Sequence, residues 1–167
     1  DGSDATLTEG MVRVPAGTFM MGCNGAVDTS CFADERPYHM VSISAFEIDV
    51  TEVTEGAFKA CVDAGACFGG TSSFDPARTE YPIAGRGWDQ AAAYCAWIGK
   101  RLPSEAEWEK TARGTDGRKY PWGNTDPDCA LVNMTGCGTG AEPVGSHVAG
   151  ASPYGALDMA GNVAEWV

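Results

Sequence analysis

Gly99-Lys100-Arg101-Leu102-Pro103-Ser104-Glu105-Ala106-Glu107-Trp108-Glu109 is the stretch that decides the fold. Gly99 can end one helix, because a residue without a Cβ enters the left-handed conformation that closes a helix. Ser104 and Glu107 stand three apart as a capping box. The hydroxyl accepts from the Glu107 N–H while the Glu107 carboxylate reaches back to the cap. A helix therefore opens after Ser104, with Trp108 on its apolar side and Gly114 at its end. Glu105, Glu107 and Glu109 crowd its start, where carboxylates suit the macrodipole.

Upstream, Ala91 to Ile98 reads as an apolar helix that Asp89 can cap. Thr54 can cap an earlier one, whose apolar face carries Ala57, Phe58, Cys61 and Val62 at 3.6-residue periodicity. Val41 to Val50 reads as a strand. Met11 to Met21 alternates around Pro15-Ala16-Gly17 and predicts an opening hairpin. Phe68 to Arg86 has turn residues and little periodicity, so it reads as loop. Downstream of Gly114 the chain is mostly turns, with Pro121-Trp122-Gly123 as a tight corner. The pattern is a loop-rich α+β domain over residues 11–167, behind a polar tail or linker at 1–10.

The chain has 167 residues, enough for one domain. Lys+Arg 11 against Asp+Glu 23 gives a formal charge of -12. Such a surface repels phosphate backbones and anionic lipid, which argues against nucleic acid and membrane as partners. Cations, basic polypeptides and neutral glycans stay open. No run is long and apolar enough to span a bilayer. No signal peptide is visible; the polar start, Asp1 to Glu9, reads as a mature N-terminus or a trimmed linker.

Seven cysteines matter through their spacing. Cys23 and Cys31 flank a polar loop, Cys61 and Cys67 bracket a helix end, and Cys129 and Cys137 bracket another loop. Each pair can close a short bridge, leaving Cys95 as a thiol in its helix. Zinc is the rival reading, but close CxxC pairs are missing and His39 and His147 stand in no ligand spacing. Bridges imply an oxidising compartment, secreted, extracellular or periplasmic.

Collinear motifs add a resemblance. They are Val14-Pro15-Ala16-Gly17-Thr18-Phe19-Met20-Met21-Gly22, Glu35-Arg36-Pro37, Glu52-Val53-Thr54, Tyr94-Cys95-Ala96-Trp97 and the stretch quoted first. Pro121-Trp122-Gly123, Pro143-Val144-Gly145 and Tyr154-Gly155-Ala156-Leu157-Asp158-Met159-Ala160-Gly161-Asn162-Val163-Ala164-Glu165-Trp166 follow in order. Together they resemble the formylglycine-generating enzyme (sulfatase-modifying factor) family along nearly the whole chain. The resemblance implies an irregular α+β fold related to C-type lectin-like domains. It also implies a copper-dependent oxidation of a sulfatase cysteine to formylglycine, with copper held by two cysteines in a C-terminal block. That block would follow Val167. The resemblance therefore predicts no catalytic residue here, no thiolate pair for copper, and a fold truncated at its C-terminus. A further segment or a protein partner would complete it. Glu55 stands where the family often has Asn, and the three bridges are not family features.

The resemblance also implies calcium. Its ligands map to the Asp158 side chain, the Gly161 and Val163 carbonyls and the Glu165 side chain. A hard cation wants this mixture of carboxylate and carbonyl oxygens. The plainer alternative is that Asp158 caps the turn and Glu165 is solvated. A second family site maps to Asn133 and the Met134 carbonyl, beside a loop shorter than the family's. His39, alone at a strand entrance, reads as structural or solvated. The five tryptophans, Trp88, Trp97, Trp108, Trp122 and Trp166, read as core packing rather than a sugar-stacking surface. The sequence thus leads to a secreted, calcium-stabilised binding or structural module, with an extracellular protein or a glycan as ligand. The alternative is the N-terminal part of a copper-dependent oxidase.

Overall fold

The computed structural model describes residues 8–69 and 74–167. Residues 1–7 of the polar tail, and 70–73 of the Phe68–Arg86 loop, lie outside the described residues. The elements run β1 (Met11–Val14), β2 (Gly17–Met21), β3 (His39–Ile43), β4 (Phe46–Asp49), α1 (Glu55–Asp63), α2 (Trp88–Trp97) and α3 (Glu105–Arg113). Single 3-10 turns occur at Pro76–Arg78 and Val148–Gly150. The chain is α+β and loop-rich, as the sequence predicts.

The opening hairpin is corrected. β1 pairs antiparallel with β4, and β2 with β3. Val14 faces Phe46 and Gly17 faces Ile43, so the register passes unshifted across the two-residue interruption. Residues 11–21 form one arm of a long ribbon, and residues 39–49 form the other. Pro15 has no N–H for a ladder, so alternation breaks there without the chain reversing. The reversal comes later, in the excursion from Gly22 to Tyr38. That excursion carries the Cys23–Cys31 bridge and is tied to α3: Gly22 N donates to Glu109 Oε1 at 2.9 Å and Arg113 Nη1 donates to the Gly22 carbonyl at 2.7 Å.

Each helix is set by a local device. Thr54 Oγ1 accepts from Ala57 N at 3.1 Å and opens α1. Ser104 and Glu107 form the predicted capping box on α3. The start of α2 is corrected: Gly87 is its N-cap, and Asp89 lies in the first turn. Gln90 Oε1 accepts from Gly87 N at 3.0 Å, the return bond of a capping box whose cap residue has no side chain. Gly99 and Gly114 follow α2 and α3 with φ of 74° and 67°, the stop signals read from the sequence.

Two small cores result. Phe58, Cys61, Cys67 and Tyr94 pack between α1 and α2, and Ala112, Ala156 and Met159 pack with Trp108 under α3. The bridges Cys23–Cys31, Cys61–Cys67 and Cys129–Cys137 are present, with Cys95 free. Closing loops of six to eight residues is worth about 2–3 kcal/mol each in the chain-entropy account. That helps explain how cores this small support so much turn structure.

The tryptophan expectation is corrected too. Trp88, Trp97 and Trp166 are 50%, 42% and 49% exposed. Their indole N–H groups explain part of the placement, because a donor on a large ring favours the boundary between core and water. Trp166 Nε1 donates to the Arg86 carbonyl at 2.7 Å, and Trp88 Nε1 donates to the Val167 carbonyl at 3.2 Å.

Candidate functional site

The turns from Leu157 to Trp166 are held against the end of β4 by Leu157 N, which donates to the Val50 carbonyl at 2.7 Å. Asp158 and Asn162 take φ of 54° and 51°, a left-handed conformation that Asp and Asn tolerate better than other side chains. Gly161 has φ 81°, and a Cβ there would collide with the Asn133 carbonyl and the Val132 side chain. Close approach of two backbones therefore fixes Gly161.

Asn162 is the hub. Its N–H donates to the Asn133 carbonyl at 2.9 Å. Its Oδ1 accepts from Asn133 Nδ2 at 3.1 Å and from Glu142 N at 2.9 Å. Its Nδ2 donates to Glu52 Oε1 at 3.0 Å and to the Glu142 carbonyl at 3.3 Å. Three distant segments meet at one amide. His147 Nε2 lies 2.9 Å from Glu142 Oε2 and braces the same loop.

Asp158, Gly161, Val163 and Glu165 all line one cavity of about 300 Å³, together with Glu105 and Trp108. Asp158 is buried, and its Oδ2 accepts from Gly145 N at 2.6 Å. Glu165 Oε2 accepts from Trp108 Nε1 at 3.0 Å. Each carboxylate thus keeps a second oxygen outside these bonds. Glu165 is exposed as a residue, yet the protein atoms around its carboxyl push its pKa up, and the Asp158 charge adds to that. Glu52 is pushed up to about 8, first by burial and then by the charges of Asp158 and Glu165. Glu52 and Glu165, both raised beside the Asp158 charge, mark a site short of positive charge.

Asn133 and Met134 are placed differently. Asn133 is buried against Gly161, and its Nδ2 donates to the Gly140 carbonyl and to Asn162. The Met134 carbonyl accepts from Cys137 N at 3.0 Å in the bridged loop. The structure thus brings Asn133 to the first cluster as a brace. Glu52 and Asn162 were not among the residues predicted for the site. Their signal was present in the Glu-Val-Thr and Gly-Asn-Val motifs, but a hub of side-chain amide bonds has no sequence spacing.

A second, larger cleft of about 400 Å³ lies alongside and shares Met159, Val163, Ala164 and Glu165 with the first. Its wall includes Phe46, Ile48, Val53, Glu52, Arg86, Cys95 and Trp166. Burial raises the Cys95 thiol above its ordinary pKa, with the Asp49 charge adding to the effect. This cysteine is therefore a weak thiolate.

The sulfatase-modifying factor enzyme 1-like domain family matches residues 2–167. Hercynine oxygenase of Mycolicibacterium smegmatis is 32% identical over 189 residues, covering 93% of this chain and 44% of its own length. The inactive C-alpha-formylglycine-generating enzyme 2 of Bos taurus is 30% identical, covering 95% of this chain and 70% of that one. The structure of PvdO from Pseudomonas aeruginosa superposes with a TM-score of 0.75 at 29% identity, over 94% of this chain and 69% of that one. The chain thus spans under half the length of the mycobacterial relative. Its motifs, its ribbon-and-three-helix fold and these matches agree: the chain belongs to the formylglycine-generating (sulfatase-modifying factor) family.

Proposed function

We propose that this domain is a secreted, calcium-stabilised binding module on the formylglycine-generating fold, and that its own residues bind rather than oxidise. One observation carries the reading. Six of its seven cysteines are locked in three bridges, and the seventh, Cys95, is a lone, half-buried thiol with a raised pKa. A copper centre of the family type needs a pair of soft thiolates. The residues of this chain do not fit one, so no step is routed through copper. The bovine relative, named an inactive enzyme, agrees with such a role. The name hercynine oxygenase favours the second reading, in which this domain is the scaffold of a longer oxidase.

The first test is direct. Incubated with copper(I), oxygen and a cysteine peptide carrying a sulfatase motif, this chain is expected to give no aldehyde mass signal above a no-protein control. A signal would overturn the binding-module reading.

Calcium does fit the donors present. All four residues line one cavity, where Asp158 and Glu165 would supply carboxylates and Gly161 and Val163 would supply carbonyls. Bound there, the ion would supply positive charge where three carboxyl groups lack it. An ion that binds only the folded state stabilises by about 2.7 kcal/mol at a hundredfold excess over Kd. Millimolar calcium is therefore expected to raise the melting temperature, and magnesium much less, because it demands a smaller and stricter octahedron. Glu165→Gln and Asp158→Asn are expected to abolish the shift. Asn is chosen at 158 because the left-handed backbone and the bond from Gly145 must both survive. A melt indifferent to calcium, or a shift retained in both variants, would refute the site.

A further inference from the structure

Phe46, Glu47, Ile48 and Asp49, the whole of β4, line the 400 Å³ cleft. Successive strand side chains point to opposite faces. A single space that touches four in a row therefore runs along a strand edge rather than over one face. β1 fills one edge of β4 and gives only Met11 to the cleft. The edge on the cleft is the other one. Among the described residues β4 has no second strand partner, and no turn or loop backbone bonds to residues 46–49. A free edge is a template for another strand, and a two-stranded ribbon is marginal without a third.

We propose that this edge of β4 binds an extended peptide of a partner protein in which apolar and basic residues alternate. Main-chain bonds to the edge supply affinity, and the side chains on each face supply specificity. β4 reads apolar, acidic, apolar, acidic, so its cross-strand complement reads apolar, basic, apolar, basic. The structure already holds that complement on the opposite edge. Val14 faces Phe46, Arg13 faces Glu47 and Val12 faces Ile48. At the end of the strand, the Lys100 ammonium donates to Asp49 Oδ1 at 2.5 Å. The chain's charge of -12 steers a basic segment toward the domain. A volume of about 400 Å³ is that of a small-ligand pocket, so the cleft admits one extended segment and no folded surface. The inference names the partner class of the binding module and rests on that reading.

Four end-blocked peptides carrying one dye test it by fluorescence anisotropy. The first alternates valine with lysine and arginine. The second has glutamate in place of the basic residues. The third has the composition of the first with the alternation scrambled. The fourth has the sequence of the first with its backbone N-methylated, which keeps the side chains and removes the donors. The first is expected to bind saturably and about tenfold more tightly than any of the others. Glu47→Gln is expected to narrow the preference for the first peptide over the second. Equal binding of the first and fourth peptides would overturn strand addition. Equal binding of the first and second, or a preference unchanged in Glu47→Gln, would overturn the charge pattern. A chain that sediments as a dimer and ignores all four peptides gives the edge to a second copy, which also sinks the proposal. The aldehyde assay separates this inference from the reading beneath it. Peptides ignored with no aldehyde signal refute the strand site and leave the non-catalytic module standing. Selective peptide binding with an aldehyde signal keeps the strand site and refutes the module.

Discussion

Lys110→Ala is expected to destabilise the domain by about 3–5 kcal/mol, seen as a lower denaturant midpoint at unchanged slope. Lys110 is 1% exposed, although it carries an ammonium. Its Nζ donates to the Pro15 carbonyl at 2.7 Å and to the Gly17 carbonyl at 3.0 Å. Those two carbonyls lie where the ribbon is interrupted between β1 and β2, the place the sequence marked as a hairpin turn. Lys110 therefore pins α3 across the break. Burial lowers its pKa, which measures how poorly the site tolerates the charge. Two carbonyls and a packed aliphatic stem nevertheless keep it there.

The alanine variant loses both contributions. It empties the volume of a four-carbon stem, and it leaves two carbonyls without their donor. Lys110→Met separates the two, because it refills the volume and still leaves the carbonyls unmet. Its cost is expected to be smaller, about 1–3 kcal/mol. Native domains have only about 5–15 kcal/mol in hand, so the alanine variant is a severe one. A loss below about 1 kcal/mol for Lys110→Ala would show that the ribbon break is stabilised elsewhere.

What the sequence made legible was local chemistry. The Thr54 cap, the Ser104–Glu107 box, the glycine stops at 99 and 114 and the three short-range bridges all depend on residues within eight positions of one another. What it hid was long-range. The pairing of β1 with β4 joins residues between 32 and 38 apart, and alternation around Pro15 looked the same for a hairpin as for an interrupted ribbon. The Asn162 hub binds Glu52 across a separation of 110 residues. The tryptophans failed for another reason: helical spacing says which residues share a face, and not whether anything covers it. The calcium ligands proposed at Asp158, Gly161, Val163 and Glu165 came from the family resemblance alone, and the four residues line one cavity.

The acid limb of stability is expected to trace largely to Glu107. Arg101 grips it bidentately, Nη1 to Oε2 at 2.7 Å and Nη2 to Oε1 at 2.6 Å. Ser104 adds its N–H and its hydroxyl to Oε2 at 2.8 and 3.1 Å. These bonds favour the ionised form, and the Arg101 pair is the largest cause of a pKa lowered to about 2 from an ordinary 4.5. A carboxyl whose folded pKa is depressed contributes stability above its unfolded pKa and loses it as pH falls through the folded one. The Glu107 contribution is therefore complete above about pH 4.5 and drains between there and about pH 2. The guanidinium partner is two-thirds exposed, so solvent screens part of the attraction, and the charge is worth about 2–3 kcal/mol rather than the full shift. Glu107→Gln keeps an acceptor for the Ser104 N–H and is expected to lose about that much at pH 7. Glu107→Ala also loses the cap return and leaves Ser104 N unmet, for about 3–5 kcal/mol. The decisive measurement is the difference in unfolding free energy between the unaltered protein and Glu107→Gln from pH 7 down to pH 3. Subtraction cancels the other carboxylates, including Asp28 and Asp116, whose own partners hold their pKa values down. The difference should be flat above pH 5 and shrink steadily below it. A difference that stays constant to pH 3 would mean that Glu107 acts through packing alone, and that the bidentate arginine contributes nothing to folding.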